Sequence, residues 1–118
     1  MTLYDKLGGD DAIAAIVDEF YKRLGSDPAI ATWFDGINLA RLKDHERAFL
    51  AVSLGGPETY TGRSMRNAHA GLGITDEVYT LTLGHLAAAL TALDVDAEVE
   101  PQIIKRIELM RAAIVEPR

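Results

Sequence analysis

The chain contains no cysteine at all among its 118 residues. Disulfides, thiolate metal sites, cysteine nucleophiles and iron–sulfur clusters are excluded together, and so is thioether attachment of a cofactor through a Cys-x-x-Cys-His run. There is no apolar run near the roughly 20 residues that a membrane helix requires. The opening residues Met1-Thr2-Leu3-Tyr4-Asp5-Lys6 lack a basic stretch leading into an apolar one, so no signal peptide is visible and a cytoplasmic location is expected. Basic charge is also short. Twelve Lys and Arg against 18 Asp and Glu leave a net charge of −6, which disfavours nucleic acid and anionic membranes as partners. No strand pattern, internal repeat or low-complexity segment is present, and no glycine-rich turn joins a strand to a helix as a flavin or nicotinamide site would need.

What is there is ordinary soluble-globular composition, 48% hydrophobic and 25% charged, in one domain spanning residues 1–118. A domain of this size buries most of the surface that its unfolded chain exposes, so it needs no covalent staples.

The pattern is helical almost throughout. A short helix over Leu3 to Leu7 ends at Gly8-Gly9. Asp10 or Asp11 is expected to cap a second helix, whose apolar positions Ile13, Ile16, Val17, Phe20 and Leu24 form one stripe, and Gly25 closes it. Asp27-Pro28 reads as a cap followed by proline at the first helical position, starting a short turn that ends at Trp33-Phe34. Asn38 caps a helix running roughly from Leu39 to Leu54, terminated by Gly55-Gly56-Pro57. Residues 58–63 have turn composition. Ser64 caps a short helix through His69, broken by Gly71 and Gly73. Thr75 caps a long helix from about Asp76 to Leu93, with Tyr79, Leu83, Leu86, Leu90 and Leu93 in one stripe and apolar residues filling most of the rest, the pattern of a central helix. Asp96 begins the last helix, with Pro101 near its start and Ile103, Ile107, Met110 and Ile114 on its inner face.

Four places carry candidate chemistry. Tyr21 follows Phe20 on the inner side of the second helix, where a buried hydroxyl needs a partner; the bland alternative is a hydroxyl that reaches solvent or a backbone carbonyl. Leu42, His45, Glu46 and Phe49 are spaced i, i+3, i+4, i+7, which puts two titratable residues on a stripe with two apolar ones. The alternative there leaves His45 and Glu46 at the solvent edge and builds the core from Leu42, Phe49 and Leu50. His69, braced by glycine turns, can present a neutral imidazole nitrogen to a metal or can be an ordinary histidine. His85 lies on the long apolar helix and reads as a buried neutral imidazole bonded to backbone or water.

The order and spacing of several motifs are similar to those of the truncated haemoglobins, specifically group I. They are Leu3-Tyr4-Asp5-Lys6-Leu7-Gly8-Gly9, Phe20-Tyr21, Trp33-Phe34, Arg41-Leu42-Lys43-Asp44-His45-Glu46, Gly55-Gly56-Pro57-Glu58-Thr59-Tyr60-Thr61-Gly62, Met65-Arg66-Asn67-Ala68-His69 and Gly84-His85-Leu86. The resemblance covers about the whole length. It implies an all-α, two-over-two helical sandwich around one non-covalent haem b. It implies His69 as the proximal iron ligand, Phe34 packed on the haem face, and Tyr21 as the distal hydrogen-bond donor to bound dioxygen. It places Leu42, His45 and Glu46 on the distal helix and Phe49 along the same side. Lys43 and Arg66 are candidates for the haem propionates by position alone.

Two positions raise questions within that resemblance. Where Glu46 stands the family usually carries glutamine, which can donate to the ligand; an ionised glutamate cannot. Glu46 is therefore expected either to turn outward toward a lysine or arginine or to be held protonated by burial. Some relatives carry a histidine at the place of His45 that binds iron when no external ligand is present, so His45 is a possible distal metal ligand; the alternative is a solvent-edge histidine near the propionates. The apolar residues Val17, Leu42, Phe49, Leu50 and Leu86 would line a gas path, though core packing alone explains them.

The implied function is binding of dioxygen, nitric oxide and carbon monoxide, with oxidation of nitric oxide to nitrate by bound dioxygen and an external electron-donating reductase to restore the iron. The alternatives are a non-catalytic oxygen or redox sensor or ligand store, and a haem-free helical domain using His45, Glu46 and His69 as a hard-metal site.

Overall fold

The computed structural model describes residues 2–56 and 73–115, and within them the chain is helical with no strand. Seven helices can be numbered in chain order. They are α1 Leu3–Leu7, α2 Asp10–Gly25, α3 Pro28–Ala31, α4 Leu39–Ser53, α5 Asp76–Ala92, α6 Glu100–Glu108 and α7 Arg111–Ile114, with a 3₁₀ turn over Thr32–Phe34. The segment 57–72, which holds the expected turn at 58–63 and the short helix through His69, lies outside the described residues.

Local chemistry sets most of the boundaries. Thr2 accepts the amide of Asp5 while Asp5 reaches back to the amide of Thr2, a reciprocal cap on α1. Gly8 ends α1 at φ 113, a conformation that costs glycine nothing. The cap of α2 differs from the sequence expectation. Gly9 occupies the cap position without a side-chain bond, and Asp10 and Asp11 sit in the first turn, where they complement the positive end of the helix dipole. Asp27, Asn38 and Thr75 cap α3, α4 and α5 as the sequence suggests, accepting from the amides of Ala29, Arg41 and Val78.

Two helix pairs make the body: α2 packs on α4, α5 packs on α6, and α2 crosses onto α5 to join them. The core between them consists of Ile13, Ile16, Val17, Phe20, Tyr21 and Leu24 from α2, Leu50 from α4, Leu86, Ala89 and Leu90 from α5, and Ile103 from α6, with Leu54 and Val99 closing the ends. The α2 stripe is buried as its spacing predicts.

The long helix is more one-sided than its composition suggests. Tyr79, Leu86, Ala89 and Leu90 are buried, but Leu81 and Leu93 are 44% and 40% exposed, because the described elements that pack most on α5, α2 and α6, leave those two positions uncovered. The last helix is also not continuous. It begins at Glu100 rather than Asp96 and breaks at Leu109–Met110, where Leu109 turns outward at 76% exposure. Arg111 then pins α7 to the start of α5. Its guanidinium donates to the Asp76 carboxylate at 2.8 Å and to the Thr80 hydroxyl at 3.1 Å, and lies over the Tyr79 ring.

At the other end of the site-bearing elements, the Tyr4 amide donates to the Leu54 carbonyl at 2.9 Å, fastening α1 to the end of α4. Gly56 lies so close that a Cβ there would meet the Ala51 carbonyl and the Tyr4 ring at 2.9 Å each. That close approach explains glycine at this position.

Candidate functional site

The register of α2 turns Tyr21 inward beside Phe20, leaving the tyrosine 8% exposed. Its ring meets Phe20 edge to face at 5.3 Å between centroids and Phe34 likewise at 5.7 Å. Phe34 arrives from the 3₁₀ turn that continues α3, and Ile30 roots that segment in the core at 3% exposure. The Tyr21 hydroxyl finds no hydrogen-bond partner among the described residues. Burial, seconded by the negative charge of Glu46, drives its pKa far above the ordinary tyrosine value.

Helix α4 supplies the facing wall. Its spacing splits the four-residue stripe in two. Leu42, Glu46 and Phe49 are half-buried, whereas His45 is exposed. Glu46 shows neither of the ion pairs that would draw it outward: no lysine or arginine pairs with it among the described residues. Burial pushes its carboxyl up to about 7. Its negative charge raises the pKa of Tyr21 and, to a smaller degree, that of Tyr79 of α5.

Lys43, a candidate for the propionates, pairs with Asp18 of α2 at 3.4 Å. Arg47 joins the same carboxylate at 3.4 Å and Asp44 at 2.6 Å, so a charged latch fixes α4 against α2 on the outer side. His69 and Arg66 lie outside the described residues. His85 departs from expectation. It is half-buried, and its Nε2 bonds the carboxylate of Asp27 at 2.7 Å instead of backbone or water.

Among the described residues no three His, Asp or Glu side chains converge as a metal site, so the hard-metal reading gains no support from them.

The profile of the bacterial-like globin family matches residues 2–116. The chain is 42% identical over 106 residues to the group 1 truncated haemoglobin GlbN of Mycolicibacterium paratuberculosis, covering 90% of this chain and 78% of that one. It is 37% identical over 114 residues to the GlbN of Nostoc sp. strain MUN 8820, covering 97% of both. The chain belongs to the bacterial-like globins, as a group 1 truncated haemoglobin. Solved structures agree with this globin's fold. The truncated haemoglobin of Tetrahymena pyriformis in its Fe(III) form superposes with a TM-score of 0.94 at 32% identity, over 99% of this chain and 100% of that one. The 2/2 haemoglobin of Synechococcus sp. PCC 7002, which carries covalently attached haem, gives 0.92 at 27% identity over 98% of each chain.

The cofactor of a globin is haem, and in this globin the absence of cysteine rules out a thioether bond to it. The described residues at this site fit that group. A buried tyrosine whose hydroxyl no described residue engages, an aromatic wall at Phe34 and a carboxyl held toward its neutral form would all face a ligand on one side of the ring.

Sequence reasoning missed two features of the site's frame: Asp18, which gathers Lys43 and Arg47, and the Asp27–His85 bond. Asp27 and His85 are 58 positions apart, and nothing local to either one points to the other.

Proposed function

We propose that this globin binds dioxygen at its haem with Tyr21 as the hydrogen-bond donor, and that it oxidises nitric oxide to nitrate with electrons returned by a separate reductase. Diatomic-ligand binding belongs to the family; the donor assignment and the nitric oxide chemistry are the proposal. When bound, the haem iron supplies the ligand-binding and one-electron chemistry. His69 would hold the iron, and Phe34, Leu42 and Phe49 would exclude water from the opposite side.

One observation supports the assignment above the others: a tyrosine 8% exposed whose hydroxyl has no partner among the described residues. A ring fixed in the interior whose hydroxyl no described residue engages suits a group that the ligand itself satisfies. Phe20 and Phe34 hold the ring on two sides. Glu46, kept neutral by burial up to about pH 7, withholds the negative charge that would oppose an electron-rich ligand. A hydrogen bond to a charged acceptor is worth about 1.5–3 kcal/mol, which corresponds to about ten- to a hundredfold in affinity.

Two measurements test the reading. Tyr21→Phe in the haem-loaded protein should speed dioxygen release by about ten- to a hundredfold; an unchanged rate would remove Tyr21 from the ligand's surroundings. Rapid mixing of the dioxygen-loaded protein with nitric oxide should yield nitrate one for one. Dioxygen binding without fast nitrate formation would leave a sensor or ligand store.

A further inference from the structure

The segment that carries Phe34 is too short to hold itself. Helix α3 has four residues and the 3₁₀ turn after it has three, fewer than an isolated helix needs to be stable in water. Its conformation must therefore come from its attachments. Ile30 roots it in the core, Phe34 meets the Tyr21 ring, and Asp27 holds its start.

Asp27 does two things with one carboxylate. One oxygen accepts the Ala29 amide at 2.9 Å and caps α3. The other lies 2.7 Å from Nε2 of His85, on the middle of α5. Helix α5 is among the longest in the protein and is anchored in the core through Leu86, Ala89 and Leu90, so this bond refers a weak segment to a rigid one. Both partners are largely shielded, with side chains 26% and 20% exposed.

We propose that His85 and Asp27 are positioning residues for the ligand pocket: by tying α3 to α5 they hold Phe34 edge-on to Tyr21 and so fix the direction of the tyrosine hydroxyl. The consequence for ligand binding rests on the reading of Tyr21 as donor; the placement of the two rings does not. The Asp27 carboxyl is held below its ordinary value, first by the His85 bond and then by the Ala29 amide, in keeping with a contact that forms preferentially to the charged acid.

The test uses the haem-loaded, carbon monoxide-bound protein, which is diamagnetic. Ring-to-ring nuclear Overhauser cross-peaks between Tyr21 and Phe34 report their geometry, and the C–O stretch, which falls when a donor points at the ligand, reports the hydroxyl. Three variants separate the effects. His85→Leu removes the bond. His85→Gln can place an amide nitrogen where Nε2 stands. Asp27→Ser keeps the cap on α3 but is too short to reach His85. We expect His85→Leu and Asp27→Ser to lose half or more of the cross-peak intensity and to shift the C–O stretch toward that of Tyr21→Phe, and His85→Gln to restore both. Cross-peaks of parental intensity in His85→Leu and Asp27→Ser would overturn the proposal, as would failure of His85→Gln to restore them. Cross-peaks that weaken while the C–O stretch stays fixed would overturn the claim that this contact aims the hydroxyl if Tyr21→Phe still shifts the stretch, and would overturn the donor role of Tyr21 if Tyr21→Phe does not.

Discussion

Glu46 gives this globin one pH dependence at the level of a single side chain. Its carboxyl ionises at about 4.5 in the unfolded chain and at about 7 in the folded one, because burial penalises the charged form. Between those values the folded state binds more protons than the unfolded state, so stability falls as pH rises through this window. Below it both states are protonated and no cost applies. Glu46→Gln should flatten the fall and stabilise the protein above neutrality by about 1–3 kcal/mol, read from denaturant unfolding on either side of the window. If the parent and the variant show the same pH profile, the carboxyl is hydrated and not buried. Glutamine also offers an amide donor at this place, so Glu46→Gln should slow dioxygen release if the side chain reaches the ligand. The tyrosine across from it has the opposite character: its pKa is driven so far up that it stays a neutral donor at any physiological pH.

The elements differ in how far they depend on their surroundings. Helix α5 is long, carries Asp76 and Glu77 at its positive end and is capped by Thr75. Thr75→Ala should cost about 1 kcal/mol in equilibrium unfolding, the ordinary worth of such a cap; no loss would mean that the Arg111 clamp already fixes that end. Helix α3 is the contrary case, held by Asp27. Because the folded Asp27 pKa lies below its ordinary value of 3.8, its contribution is present above that pH and is lost as pH falls through the folded value. In acid, α3 amides such as that of Ala29 should therefore lose protection from hydrogen exchange before those of α2 and α5. Uniform loss would show that Asp27 does not hold the segment separately.

At the scale of the molecule, the α2–α5 crossing is what everything else is built on. Leu90 has no exposed surface and Ile13 and Ile103 have 1% each, so truncation there opens a cavity that surface relaxation cannot fill. Leu90→Ala should destabilise by about 2–5 kcal/mol in thermal or denaturant unfolding. A loss under about 1 kcal/mol would mean that the crossing is looser than described. The latch of Lys43 and Arg47 on Asp18 and the Arg106 bond to the Ser53 carbonyl then hold α4 over the site from opposite ends.

Much of this was legible in order along the chain. The 3.6-residue spacing of Ile13, Ile16, Val17, Phe20 and Leu24 determined the buried face of α2 and with it the inward turn of Tyr21. Asp27, Asn38 and Thr75 marked helix starts, since capping is chemistry between residues two or three apart. The motifs that resemble the truncated haemoglobins carried the fold and the cofactor. What spacing could not settle was which side of a helix meets a neighbour. His45 and Glu46 are adjacent on one stripe, yet one is exposed and the other half-buried, a difference that the packing of α4 decides and the spacing does not. Leu93 continues the apolar stripe of α5 but lies past the end of its covered side. The partner of His85 is of the same kind. Local sequence determines what a side chain can bond, but only the packing of α3 against α5 brings a carboxylate from 58 residues away to within 2.7 Å of it.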